Sequence, residues 1–243
     1  MIKFFRKIRQ KLLSENKFSK YLIYAIGEIV LVVIGILIAL QVNNWNESRV
    51  QRQKEIVILS ELKKELEDDL ETEFIPAIDY LKETNQTTLK LWRYYNEYHN
   101  NNSKIIPKDS LRYYLSSTTS KWYFVLNLGA YESLKSSGID IISNDSLRSK
   151  ISTMYSTHYP ENEPKSNVVN NYIDKEIKPI LLDNFPLSST NEHNFLTNSP
   201  KFINRVAGVI NVRRTLIETL NRMKPEIEIL IQEISKEIDR IKE

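Results

Sequence analysis

The sequence predicts a mainly α protein: one N-terminal transmembrane helix followed by an all-α extracytoplasmic helical bundle with long N- and C-terminal helices. Three observations carry that expectation. From Tyr21 to Val42 the chain runs 22 residues with Glu28 as its one charged side chain, and fourteen of them are Leu, Ile or Val. Leu62, Leu66, Leu70, Phe74 and Ile78 then recur at i+4 spacing, with Glu65, Glu67, Asp68, Asp69 and Glu71 in the intervals. Near the end, Ile203, Val206, Ile210, Ile217, Leu220, Ile227, Ile231, Ile234, Ile238 and Ile241 fill ten of twelve heptad positions.

The first element is a basic segment, residues 1–20, with seven Lys or Arg and only Glu15 as an acid. Ile2, Phe5, Ile8 and Leu12 recur there at helical spacing, the pattern of a short helix lying on an anionic membrane surface. The second is the span itself, residues 21–42. At 1.5 Å per residue it covers about 33 Å, against a bilayer core of about 30 Å. The apolar run is too long for a cleavable signal peptide, and Ala39-Leu40-Gln41 lacks the small residue at a cut, so it reads as an uncleaved signal anchor. Seven basic residues precede the span and Arg49, Arg52 and Lys54 follow it, which predicts a cytoplasmic N-terminus and residues 43–243 on the far side. Tyr24 and Trp45 would mark the two interfaces. Outside residues 1–20 and Glu28, 27 of the 34 basic and 29 of the 31 acidic groups remain, a balance without the dense basic surface that nucleic acid requires.

Glu28 admits two readings. It lies about 6 Å inside the inner interface counted from Tyr24, where a carboxyl reaches headgroups and Lys20 or is protonated. Alternatively, Ala25, Glu28, Gly35 and Ala39 share one helical face, with Gly35 and Ala39 as a small-xxx-small pair, so a partner helix or a second copy would pack there and satisfy the carboxyl.

Beyond Trp45 the row from Leu62 to Ile78 drifts about 40° per step around the helix, giving a broad bundle face; Pro76 is expected to kink it and Asn100-Asn101-Asn102-Ser103 to end it. The acidic run reads as a solvated face, since calcium-loop spacing with its glycine is lacking. Ala130, Tyr131 and Leu134 predict a short helix closed by Gly138 as a left-handed C-cap; Asn144 or Asp145 caps the next, carrying Leu147, Ile151 and Tyr155 and stopping before Pro160. A loop YPENEPKSN, a short helix around Val169 to Ile180, and a long polar loop over 183–200 follow. In the final heptad Arg213 and Lys224 are the exceptions, Pro225 predicts a kink, and the helix is expected to fold back on the one starting near Arg49.

The opening MIKFFRKIRQKLLSENKFSKYLIYAIGEIVLVVIGILIALQVNNWNE, then AYESLKSSG with NDSLRSKI and the terminal NRVAGVINVRRTLIETLNR, resemble a family of uncharacterised single-span membrane proteins of Gram-negative bacteria, catalogued as a domain of unknown function. The resemblance implies an inner-membrane location and assigns no catalytic residue.

The chemistry-bearing patterns are few. With no cysteine, thiolate metal sites and cysteine nucleophiles are excluded. The glycines Gly129, Gly138 and Gly208 form no phosphate loop, and His99, His158 and His193 stand singly. No catalytic, cofactor or metal residue is assigned, and an enzyme is not expected. Two roles are: a membrane-anchored helical scaffold or interaction and sensing module facing the periplasm, with Trp92, Trp122, Tyr123 and Phe124 in its core or at its contact; or an accessory subunit whose span docks through Glu28 on a larger transporter or proton-driven complex. Partners are then membrane lipids and a protein or second copy at the span, and not nucleic acid.

Overall fold

The computed structural model describes residues 18–101, 107–184 and 192–243. Residues 1–17 of the basic segment, the Asn102-Ser103 stop and positions 185–191 of the expected polar loop lie outside the described residues. The chain divides into two compact units, Met1–Lys54 and Glu55–Glu243.

Helix α1 (Phe18–Asp69) supplies all of the described first unit. Its apolar residues from Leu22 to Val42 lie open, and none of its 18-residue apolar window is buried within the chain. It is long and apolar enough to cross a membrane. Residues 43–54 are exposed throughout, and Arg49 sits 5.9 Å from the centroid of the exposed Trp45 ring.

The second unit is all helix and connection, with no strand among the described residues. After the end of α1 come a π segment (Leu70–Phe74) and α2 (Ile75–Asn101), then α3 (Lys108–Ser117), an irregular stretch, and α4 (Gly129–Ser137). A 3-10 turn (Ile139–Ile141) leads to α5 (Asp145–Thr153), a π segment (Met154–His158), a 3-10 turn (Tyr159–Glu161), α6 (Asn162–Tyr172), a third π segment (Ile173–Ile177) and α7 (Lys178–Asn184). Helices α8 (Glu192–Thr197) and α9 (Pro200–Lys242) close the chain.

The core is built on seams, not on the i+4 row. In α1 the fully inward positions are Glu55, Leu59, Leu62, Leu66 and Asp69, at alternating steps of four and three, and Leu70 is only half-buried. Steps averaging 3.5 hold one face far better than steps of four, so the seam takes in two acids that the apolar row leaves out. From Asp69 the next inward residue is Phe74, a step of five that the π segment supplies.

All three π segments end two residues before a proline: Phe74 before Pro76, His158 before Pro160, Ile177 before Pro179. Proline lacks an N–H and its ring collides with the carbonyl four residues back. A π turn, in which Ile75 N–H bonds the Leu70 carbonyl, Tyr159 the Met154 and Lys178 the Ile173, loosens the ladder there. This corrects the expectation that the helix stops before Pro160 and that YPENEPKSN is a loop: the chain stays helical from Asp145 to Asn184. The polar loop expected over 183–200 is likewise shorter, because Glu192–Thr197 is helical.

Helix α9 continues through Pro225. Its buried face shares Val206, Arg213, Leu220, Ile227 and Ile234 with the expected heptad, but the other half is Phe202, Val209, Leu216, Met223, Leu230 and Glu237, one residue before each expected position. Ile203, Ile210 and Ile238 stay buried on the flank while Ile217, Lys224 and Ile231 are half-buried, so the face is broader than a coiled-coil seam. Instead of the helix starting near Arg49, α9 packs chiefly along α2, and also on α6 and residues 173–177.

Candidate functional site

Between α3 and α4, residues 120–128 run without helix, turn or bend. Burial alternates along this strap: Trp122, Phe124 and Leu126 pack on the core, while Tyr123 is 62% and Val125 74% exposed. Period-two alternation is the mark of an extended chain lying on a surface. The inward rings meet α2 and the first π segment, Trp122 at 5.6 Å from Tyr80 and Phe124 at 5.8 Å from Phe74.

Side chains from other helices take the main-chain bonds that a strap outside any helix or sheet leaves open. Arg213, fully buried on α9, donates from Nη2 to the Ser117 and Ser120 carbonyls at 2.8 and 2.7 Å and from Nη1 to Thr88 Oγ1 at 3.0 Å. Its guanidinium thus caps the carbonyl end of α3. No carboxylate pairs with it among the described residues; burial lowers its pKa to about 10, which leaves it charged at neutral pH. On α6, Ser166 Oγ and Asn170 Nδ2 donate to the Trp122 carbonyl at 2.6 and 2.8 Å. Lys121 pairs with Asp174.

The far end is held by α1. Asp69, with no exposed surface, accepts from Asn127 N at 3.0 and 3.2 Å and from Asn127 Nδ2 at 2.7 Å. One turn earlier, Glu65 Oε1 accepts from Ala130 N at 2.8 Å, so both acids sit at the positive start of α4. Burial pushes the Asp69 carboxyl up to about 6 against the lowering effect of the Asn127 bonds, and Glu65 adds to the rise. Tyr155 and Tyr159, both buried, line the same pair; burial first, then the nearby carboxylates, raises both phenols. Asp69 and Glu65 therefore leave the solvated face on which the acidic run was expected to lie.

The sequence-derived site residues are placed as follows. Ala25, Glu28, Gly35 and Ala39 lie along α1, the first two half-buried and the last two exposed; a Cβ built on Gly35 would meet nothing within 4 Å. Gly138 follows α4 with φ 94° and ψ 122°. Its φ is positive, but ψ falls outside the left-handed helical region because its carbonyl turns to accept from Ile141 N at 3.1 Å in the following 3-10 turn. Asn144 caps α5, accepting from Leu147 N at 3.1 Å. Of the aromatic residues considered for a contact, Trp122 and Phe124 turn inward and Tyr123 outward.

No group of three or more His, Asp or Glu is arranged for a metal among the described residues. The histidines serve structure: His99 Nε2 lies 2.8 Å from the Thr197 carbonyl and His193 Nδ1 2.9 Å from Tyr94 Oη. An open groove of about 310 Å³ between α5 and the end of α9 has its charges already paired, Lys150 with Glu233 and Arg240 with Glu237, while Asn144 bonds Glu237.

Fold and site together define an all-helical protein with one apolar helix long enough to span a bilayer and a bundle that carries a strap pinned by buried polar side chains. Residues 28–170 match a family of unknown function (DUF6090), more than half of the chain, and the protein belongs to that family. The match takes in the strap with Asp69, Ser166 and Asn170; it begins after the basic segment and ends before Arg213. No curated protein and no solved structure matches the chain.

Proposed function

We propose that this protein is a non-catalytic, membrane-anchored interaction module of the Gram-negative inner membrane. Its N-terminus is cytoplasmic and its bundle faces the periplasm. The observation that carries the reading is the open apolar surface of α1 from Leu22 to Val42, which the chain itself does not cover and a bilayer would. The seven-to-three excess of basic residues before the span sets the orientation. A reporter active only outside the cytoplasm, fused after Glu243, is expected to be active; a well-expressed but inactive fusion would overturn the orientation.

A second reading is favoured by Gly35, whose open Cβ side leaves room for close approach of another helix beside Ala39. On it, the protein is an accessory subunit that docks by its span on a larger transporter or proton-driven complex.

A further inference from the structure

We propose that the outward edge of the strap, Tyr123 to Asn127, pairs with the same edge of a second copy of this chain, the two straps lying antiparallel about a two-fold axis at Val125. From Tyr123 to Leu126 no main-chain N–H or C=O has a partner among the described residues, whereas the Trp122 carbonyl and the Asn127 N–H on either side are taken. The complement of an unpaired extended main chain is another extended main chain.

The choice of a second copy follows from charge. Between Lys121 and Glu132 the chain has no charged side chain, and Lys121 is already paired with Asp174. Such an edge selects no charged partner and is its own complement. In the antiparallel register Val125 meets Val125 and Tyr123 meets Asn127, with no like charges opposed. A contact of this symmetry uses the same residues on both sides and closes at two copies.

The area sets the conditions. Tyr123, Val125 and Leu128 offer a few hundred Å² per copy, below the roughly 800 Å² per partner of a stable soluble complex. The pairing therefore rests on the membrane-anchored reading, in which confinement to one bilayer raises the effective concentration of the second strap.

The chain has no cysteine, so Val125→Cys introduces a single thiol at an exposed position. Across the two-fold axis the two Cβ atoms would stand about 4.5–5.5 Å apart, within reach of a disulfide after slight adjustment. In full-length protein in phosphatidylethanolamine–phosphatidylglycerol vesicles, mild oxidation is expected to dimerise Val125→Cys at least about tenfold faster than Ile229→Cys, an exposed position on α9, because only the first is held at high local concentration. Equal rates, or no dimer at position 125 in protein that resists alkaline extraction, would overturn the pairing and leave the anchor reading standing. Protein released by alkali would instead remove the anchor reading, and the pairing with it. An extended peptide of another protein as the occupant would give the second outcome.

Discussion

Asp69 and Arg213 are fully buried, and each ends on main-chain groups of the strap or its borders, not on an opposite charge. For Asp69 the consequence is a pH dependence with a definite sign. Its carboxyl is raised from 3.8 to about 6 in the folded protein, so the folded state binds the proton more tightly than the unfolded one. The contribution is complete below pH 3.8 and is lost as pH rises through 6, a fall of up to about 3 kcal/mol at 1.36 kcal/mol per pH unit. Asp69→Asn removes that loss while keeping an oxygen for the Asn127 donors. In urea unfolding of the full chain in micelles, followed by tryptophan fluorescence, the variant is expected to match wild type near pH 4.5 and exceed it near pH 7.5. The same pH profile in both proteins would remove Asp69 as the titrating group.

At the scale of elements, the π segment at Leu70–Phe74 sets the phase between two seams, Asp69 closing one and Phe74 opening the next. Deleting the exposed Glu71 turns that segment into plain α-helix and rotates everything beyond it by about 100° relative to α1. Phe74 or Asp69 must then leave the core, a loss on the scale of the 3–5 kcal/mol seen for truncating a buried phenylalanine. Helical circular dichroism is expected to persist with a much lower melting temperature, whereas Glu71→Ala melts like wild type. If deletion and substitution melt together, the π segment does not set the phase. These details also mark where sequence reading stops. The apolar helix, the Asn144 cap and the long final helix were legible because each is a local or strictly periodic signal. Arg213 was legible only as a break in the heptad, since periodicity counts apolar residues and is blind to a guanidinium that finds carbonyls inside. Asp69 had a usable signal, seven residues after Leu62 and three after Leu66, which the i+4 row hid. The strap was missed because Trp122 to Leu126 is apolar at every position, so its alternation exists in burial and not in composition.

For the whole molecule, two roles for the span separate by substitution. Exchanging residues 21–42 for an unrelated anchor of equal length is expected to preserve every association of the bundle if the protein is an interaction module. If it is an accessory subunit, the exchange abolishes co-purification of its complex. Within the native span, Gly35→Ile is expected to disrupt close helix packing, and Glu28→Leu to weaken it by no more than the roughly 0.6–2 kcal/mol of an interhelical hydrogen bond. Association unchanged by all three alterations would leave the span as a lipid-facing tether.

The pairing of π turns with prolines also has a historical side. A helix containing a π turn holds one residue more than the plain α-helix that would fill the same place, so each of the three segments is the trace a single-codon insertion leaves when the rest of the helix keeps its contacts. Gaps of one residue between relatives are therefore to be sought just ahead of Pro76, Pro160 and Pro179, inside helices, where insertions are ordinarily least tolerated.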